Sequence, residues 1–141
     1  MRRLYRVMLL LGASVLLLVG PPAQAKVPDS TPPTFAGLES AVTCIPGPIG
    51  SGMTASYYLS WEPAVDDVSR TKKIEYDIYQ SDKAGGEDFS APTYTTRAGA
   101  TSFTTPPLPA DTPVYFVVRA RDRAGNSDSN TVERQGENLC V

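Results

Sequence analysis

Eight side chains have the most chemistry to offer: Cys44 and Cys140, and the acids Glu62, Asp66, Asp67, Asp82, Glu87 and Asp88 in polar stretches. The chain has no histidine. That removes Ser–His and Cys–His activation of a nucleophile and most zinc sites. Paired acids could cleave glycosides if one were buried with a raised pKa. However, no apolar pocket can be drawn around these six, so they are expected to be solvated loop acids. Asp66 and Asp67 could offer oxygens to calcium, but no calcium-loop spacing surrounds them, and no Gly-rich phosphate loop follows a strand. The expectation is therefore no catalytic site, no metal and no cofactor.

The cysteines are read together with the start of the chain. Residues 1–25 carry Arg2, Arg3 and Arg6, then an apolar run over residues 7–19, then Ala23-Gln24-Ala25, the pattern of a cleaved export signal. The apolar run is near the lower limit for a membrane anchor. An even cysteine count in an oxidising compartment favours a Cys44–Cys140 disulfide, with free thiols or a bond to another chain as the alternatives. Residues 26–33, KVPDSTPP, read as an extended linker. Setting aside the three N-terminal arginines leaves 10 basic side chains against 15 acidic ones, a balance that gives no footprint for nucleic acid or anionic lipid.

The elements that must position these residues are strands. Residues 114–126 read VYFVVRARDRAGN, in which Val114, Phe116, Val118 and Ala120 alternate with Tyr115, Val117, Arg119 and Arg121 before a turn at Ala124-Gly125-Asn126. Residues 53–61 place Ala55, Tyr57, Leu59 and Trp61 on one face, and residues 74–79 do the same with Ile74, Tyr76 and Ile78. Weaker strands are expected over 34–44, 94–96, 101–105 and 130–134. About seven short strands without a helical period predict an antiparallel sandwich spanning residues 34–141. Its expected core is Leu59, Trp61, Ile74, Tyr76, Ile78, Phe103, Leu108, Phe116, Val118 and Ala120.

Trp61, Tyr76, Leu108, Ala120, Asp122, Gly125 and Asn126, with the opening Thr31-Pro32-Pro33-Thr34, stand in an order that resembles a fibronectin type III domain of the bacterial exported type. The resemblance covers about residues 32–133. It implies a seven-stranded immunoglobulin-like sandwich whose first and last strands end at one pole, where Cys44 and Cys140 would meet. It departs from the family at Val114, which stands where a tyrosine usually makes a corner hydrogen bond. No Arg-Gly-Asp tripeptide occupies the turn of residues 122–127.

The resemblance also makes the strands of Tyr79 and Tyr115 neighbours. Tyr79, Tyr115 and Val117 are then expected on an outer face as a patch for a protein partner, with an ordinary decorated surface as the alternative. Glu75 and Asp77 are expected opposite Arg119 and Arg121 as cross-strand ion pairs. The functional expectation is a secreted or periplasmic module that binds protein, without membrane insertion once the signal is removed. The alternative is a carbohydrate-binding or spacer module, with Tyr79 or Tyr94 as sugar platforms.

Overall fold

The computed structural model describes residues 27–140. The expected export signal, Lys26 of the linker and the terminal Val141 lie outside the described residues.

Strict alternation over two long runs sets the centre of the molecule. β4 (Glu75–Ser81) and β8 (Tyr115–Arg121) pair antiparallel along their whole length, from Glu75 opposite Arg121 to Ser81 opposite Tyr115. β5 (Tyr94–Thr95) and β9 (Glu133–Gln135) flank them, giving the sheet order β5-β4-β8-β9. A second sheet runs β10-β1-β3-β6, built from β10 (Glu137–Asn138), β1 (Ser40–Thr43), β3 (Tyr58–Ser60) and β6 (Ser102–Thr104). A two-stranded ribbon joins β2 (Thr54–Ala55) to β7 (Leu108–Pro109). One 3₁₀ turn, Thr71–Lys73, leads into β4. The fold is all-β, with sheets of mainly antiparallel strands.

Two strands differ from expectation. The run over 53–61 divides into β2 and β3, and between them Tyr57 stays tied to Thr105. Its N–H donates to Thr105 Oγ1 (2.9 Å), and its carbonyl accepts from the Thr105 N–H (3.0 Å). The last strand, expected over 130–134, begins only at Glu133 and runs on past its expected end, changing sheets at Gly136: β9 pairs with β8, whereas β10 lies parallel to β1. A Cβ on Gly136 would sit 2.4 Å from the Tyr57 ring, so only glycine lets the backbone cross there.

The inward residues of both sheets meet in one core. Leu59, Ile74, Tyr76, Ile78, Phe116, Val118 and Ala120 are wholly enclosed. The Tyr76 ring lies 5.2 Å from both Trp61 and Phe35, and Tyr57 lies 5.8 Å from Phe116. Phe103 and Leu108, expected inside, are only partly buried. Phe103 stands on the edge strand β6 and Leu108 on the short ribbon, where one side has no neighbouring strand to cover it.

Parallel pairing of β1 with β10 brings the two cysteines together. Cys44 and Cys140 form a disulfide with their Cα atoms 4.7 Å apart. Asn138 clamps the same end: its Oδ1 accepts from the Ile45 N–H (2.9 Å) and its Nδ2 donates to the Ile45 carbonyl (3.1 Å). Among the described residues no helix is long and apolar enough to cross a membrane.

Candidate functional site

The strand register places Tyr79 opposite Val117 and Tyr115 next along the same face, so the three residues do share one side of the sheet. They do not form an exposed patch. Tyr79 is 6% exposed and Val117 1%; only Tyr115 reaches solvent, and only partly. The cause is the loop after β4, which folds back over the sheet. Phe89 from that loop stands edge-on to Tyr79 at 5.1 Å, and the Arg119 guanidinium stacks on Phe89 at 3.7 Å. Arg119 is held there by donating from Nε to the Asn130 carbonyl (2.9 Å). The face is thus a small second core capped by a cation on an aromatic ring. Tyr94 is likewise committed, packed on Phe103 at 5.2 Å, so neither expected sugar platform is free.

With Arg119 occupied, Arg121 serves both acids. It contacts Glu75 (3.0 Å) and Asp77 (2.8 Å), and Asp77 also accepts from Thr95 Oγ1 (2.7 Å). Asp77 is buried, so these partners are what permit its charge inside. The Asp77 carboxylate, outweighing partial burial, raises the pKa of Arg121 further.

Of the six acids singled out in the sequence, Glu62, Asp67, Asp82 and Asp88 are exposed as expected. Glu87 and Asp66 are half-buried. Burial, with the Glu133 carboxylate beside it, pushes the Glu87 pKa up.

Asp66 belongs to a cluster that the sequence did not reveal. At the pole opposite the disulfide, three segments converge: the residues before β1, the loop after β3 and the turn after β8. Oxygens of Asp29, Asp66 and Asp122 lie within 4.8 Å of one another, and Asp122 is 3% exposed. Each carboxylate is fixed by local donors. Asp66 Oδ2 accepts from the Val68 and Ser69 N–H groups. Asp29 Oδ1 accepts from the Thr31 N–H (3.2 Å). Asp122 accepts from the Asn126 N–H and from its Nδ2, both at 2.8 Å. Burial works against the Asp122 charge, but these donors prevail and lower its pKa. Gly125, at φ +94°, lets the turn close tightly enough for that contact. Asn126 Nδ2 also donates to the Asp29 carbonyl (3.3 Å), tying the linker to the turn.

Beside the cluster opens a groove of about 680 Å³ lined by Val27, Asp29, Val68, Arg70, Lys73 and Arg123, among others. Val27 and Val68 are largely exposed. The linker and the turn after β8 both contribute to its lining. No protein-family model matches this chain, and no curated protein sequence matches it.

Proposed function

We propose that this chain is an exported, non-catalytic module of fibronectin type III type that binds a protein partner through the groove at its aspartate pole. The observation that carries the reading is that groove, where exposed Val27 and Val68 stand among Arg70, Lys73 and Arg123. Apolar contact area beside arginine is the composition of an interface. The partner segment it fits carries apolar and acidic side chains. The type III reading is supported by the strand orders β10-β1-β3-β6 and β5-β4-β8-β9 and by the contact of Trp61 with Tyr76, two of the residues that carry the resemblance. Export is supported by the disulfide, which persists in oxidising compartments. Of the three residues expected to bind the partner, Tyr115 alone remains accessible, and it lies away from the groove lining.

A photo-crosslinking residue at position 68, compared with one at the exposed Ile49 of the opposite pole, tests the site in the native host. A discrete adduct at 68, absent at 49 and lost on adding Arg70→Glu and Arg123→Glu, supports the reading. Identical patterns at both positions would sink it.

A further inference from the structure

We infer that the Cys44–Cys140 disulfide is a reductant-operated clasp, whose opening frees residues 137–140 from the edge of β1 while the rest of the sandwich stays folded. The deciding feature is how little else holds that segment. β10 meets β1 at two positions only, Val42 opposite Glu137 and Thr43 opposite Asn138. None of residues 137–140 is buried, and Leu139 is 63% exposed. The segment therefore adds almost nothing to the apolar core, whose burial is the dominant favourable contribution to folding. Its other attachments to this end of β1 are polar: the Leu139 N–H donates to the Thr43 carbonyl (3.0 Å), and Asn138 makes its two bonds to Ile45. Half-exposed hydrogen bonds such as these exchange readily for bonds to water and contribute little net stability.

The flanking elements keep their partners when the segment leaves. Upstream of it, β9 is paired with β8 from Gln135 opposite Tyr115 to Glu133 opposite Val117, and the Gly136 N–H donates to the Val114 carbonyl (2.8 Å). On its other side β1 is paired with β3, with Ser40, Ala41 and Val42 opposite Ser60, Leu59 and Tyr58. Opening then uncovers two things. The outer edge of β1 loses its neighbour and presents unpaired backbone groups. A cleft of about 270 Å³ at this pole, lined by Ile45, Ile49 and Tyr57, loses the wall that Asn138 supplies.

Cys44 is exposed and Cys140 half-buried, so a reductant reaches the bond from the Cys44 side. The reductant is a dithiol. One of its thiolates attacks Cys44 Sγ, the sulfur–sulfur bond breaks, and Cys140 leaves as a thiolate. The second thiolate then attacks the mixed disulfide and releases Cys44. Two electrons pass to the protein, the dithiol becomes a disulfide, and its two protons end on Cys44 and Cys140. Exposed disulfides are the labile and regulatory ones, and in an oxidising compartment the clasp stays shut until such a dithiol meets it.

The test is amide hydrogen exchange followed by NMR on the folded protein, before and after dithiothreitol, with free thiols counted by mass. Reduction should proceed without denaturant, at a rate proportional to dithiothreitol. Exchange should then accelerate roughly tenfold or more at Ile45 and Leu139, whose N–H groups bond across the clasp, and stay unchanged across β4 and β8. Reoxidation with oxidised glutathione should restore the protection. Cys140→Ser should show the reduced pattern without reductant; the reduced wild-type protein reports the same state even if that variant folds poorly. Several results would overturn the inference: a bond that yields only in denaturant, an acceleration that spreads across β4 and β8, or exchange at Ile45 and Leu139 that ignores reduction. An Asn138→Ala protein that exchanges fast at Leu139 while still oxidised would assign the hold to that side chain instead of the bond.

Discussion

The two poles of this sandwich are closed by opposite means. At one, a covalent bond between Cys44 and Cys140 joins the first and last strands, and Asn138 satisfies both backbone groups of Ile45. At the other, no covalent bond exists among the described residues. The linker, the loop after β3 and the turn after β8 meet through carboxylates and backbone donors. The first pole is therefore stabilised largely through the unfolded chain, which the disulfide restricts. The second is stabilised only in the folded state, by hydrogen bonds to carboxylates, which depend on pH.

The largest effect should come from breaking the covalent pole. Cys44→Ser with Cys140→Ser should lower the unfolding free energy by about 2–4 kcal/mol, with the β signature of circular dichroism retained. A double mutant that melts like the wild type would show that the bond restricts little. Next, Tyr76→Phe should weaken the aspartate pole. The Ala64 N–H, which donates to Tyr76 Oη (2.8 Å) at the root of the Asp66 loop, would lose its acceptor inside the core. Urea titration should register a loss of about 1–3 kcal/mol, with the m-value unchanged. Asp122→Ala should cost about 1–2 kcal/mol by removing the acceptor for Asn126 in its turn, without affecting the disulfide pole. Hydrogen exchange should rise at Asn126 and not at Ile45.

The smallest effect sharpens the contrast between a carboxylate relieved by a proton and one, Asp122, held charged by hydrogen-bond donors. Burial and the neighbouring Glu133 raise the pKa of Glu87 in the folded protein. Its contribution is then fully present below the ordinary glutamate pKa and is lost as pH rises through the elevated one. Glu87→Gln should flatten that slope and gain about 0.2–0.5 kcal/mol near neutrality, since solvent screens most of the repulsion. An unchanged pH profile would remove Glu87 from the account.

Local pattern carried much of the architecture. The alternation over Ile74, Tyr76 and Ile78 and over Phe116, Val118 and Ala120 was legible because both strands are long and one face of each is enclosed. The pairing of Cys44 with Cys140 was legible because an even count behind an expected export signal leaves few other fates. The expected neighbourhood of the two strands brings Glu75 and Asp77 near Arg121, but the register that gives Arg121 both acids was not expressed in the sequence. What alternation could not express is cover. It assigned Tyr79 and Val117 to the outside, and so they are with respect to the sheet, but Phe89 and Arg119 close over them. The one signal was a lone phenylalanine at the end of the polar stretch SDKAGGEDF. Asp29, Asp66 and Asp122 were illegible for a different reason. Their proximity exists only after three segments fold to one pole, so no local motif records it.

The parallel pairing of β1 with β10, locked by Cys44–Cys140, also determines how the module would carry tension. A pull applied at residue 27 and at residue 140 passes through the sulfur bridge and bypasses the chain between residues 44 and 140. Only the segment before Cys44 can pay out, about 60 Å of contour, against about 400 Å once the bond is reduced. Under load the sandwich would behave as a short tether with a fixed end-stop, and the aspartate pole, where that segment is fastened by Asp29 and by the Thr34–Val65 bridge, is the latch that yields first.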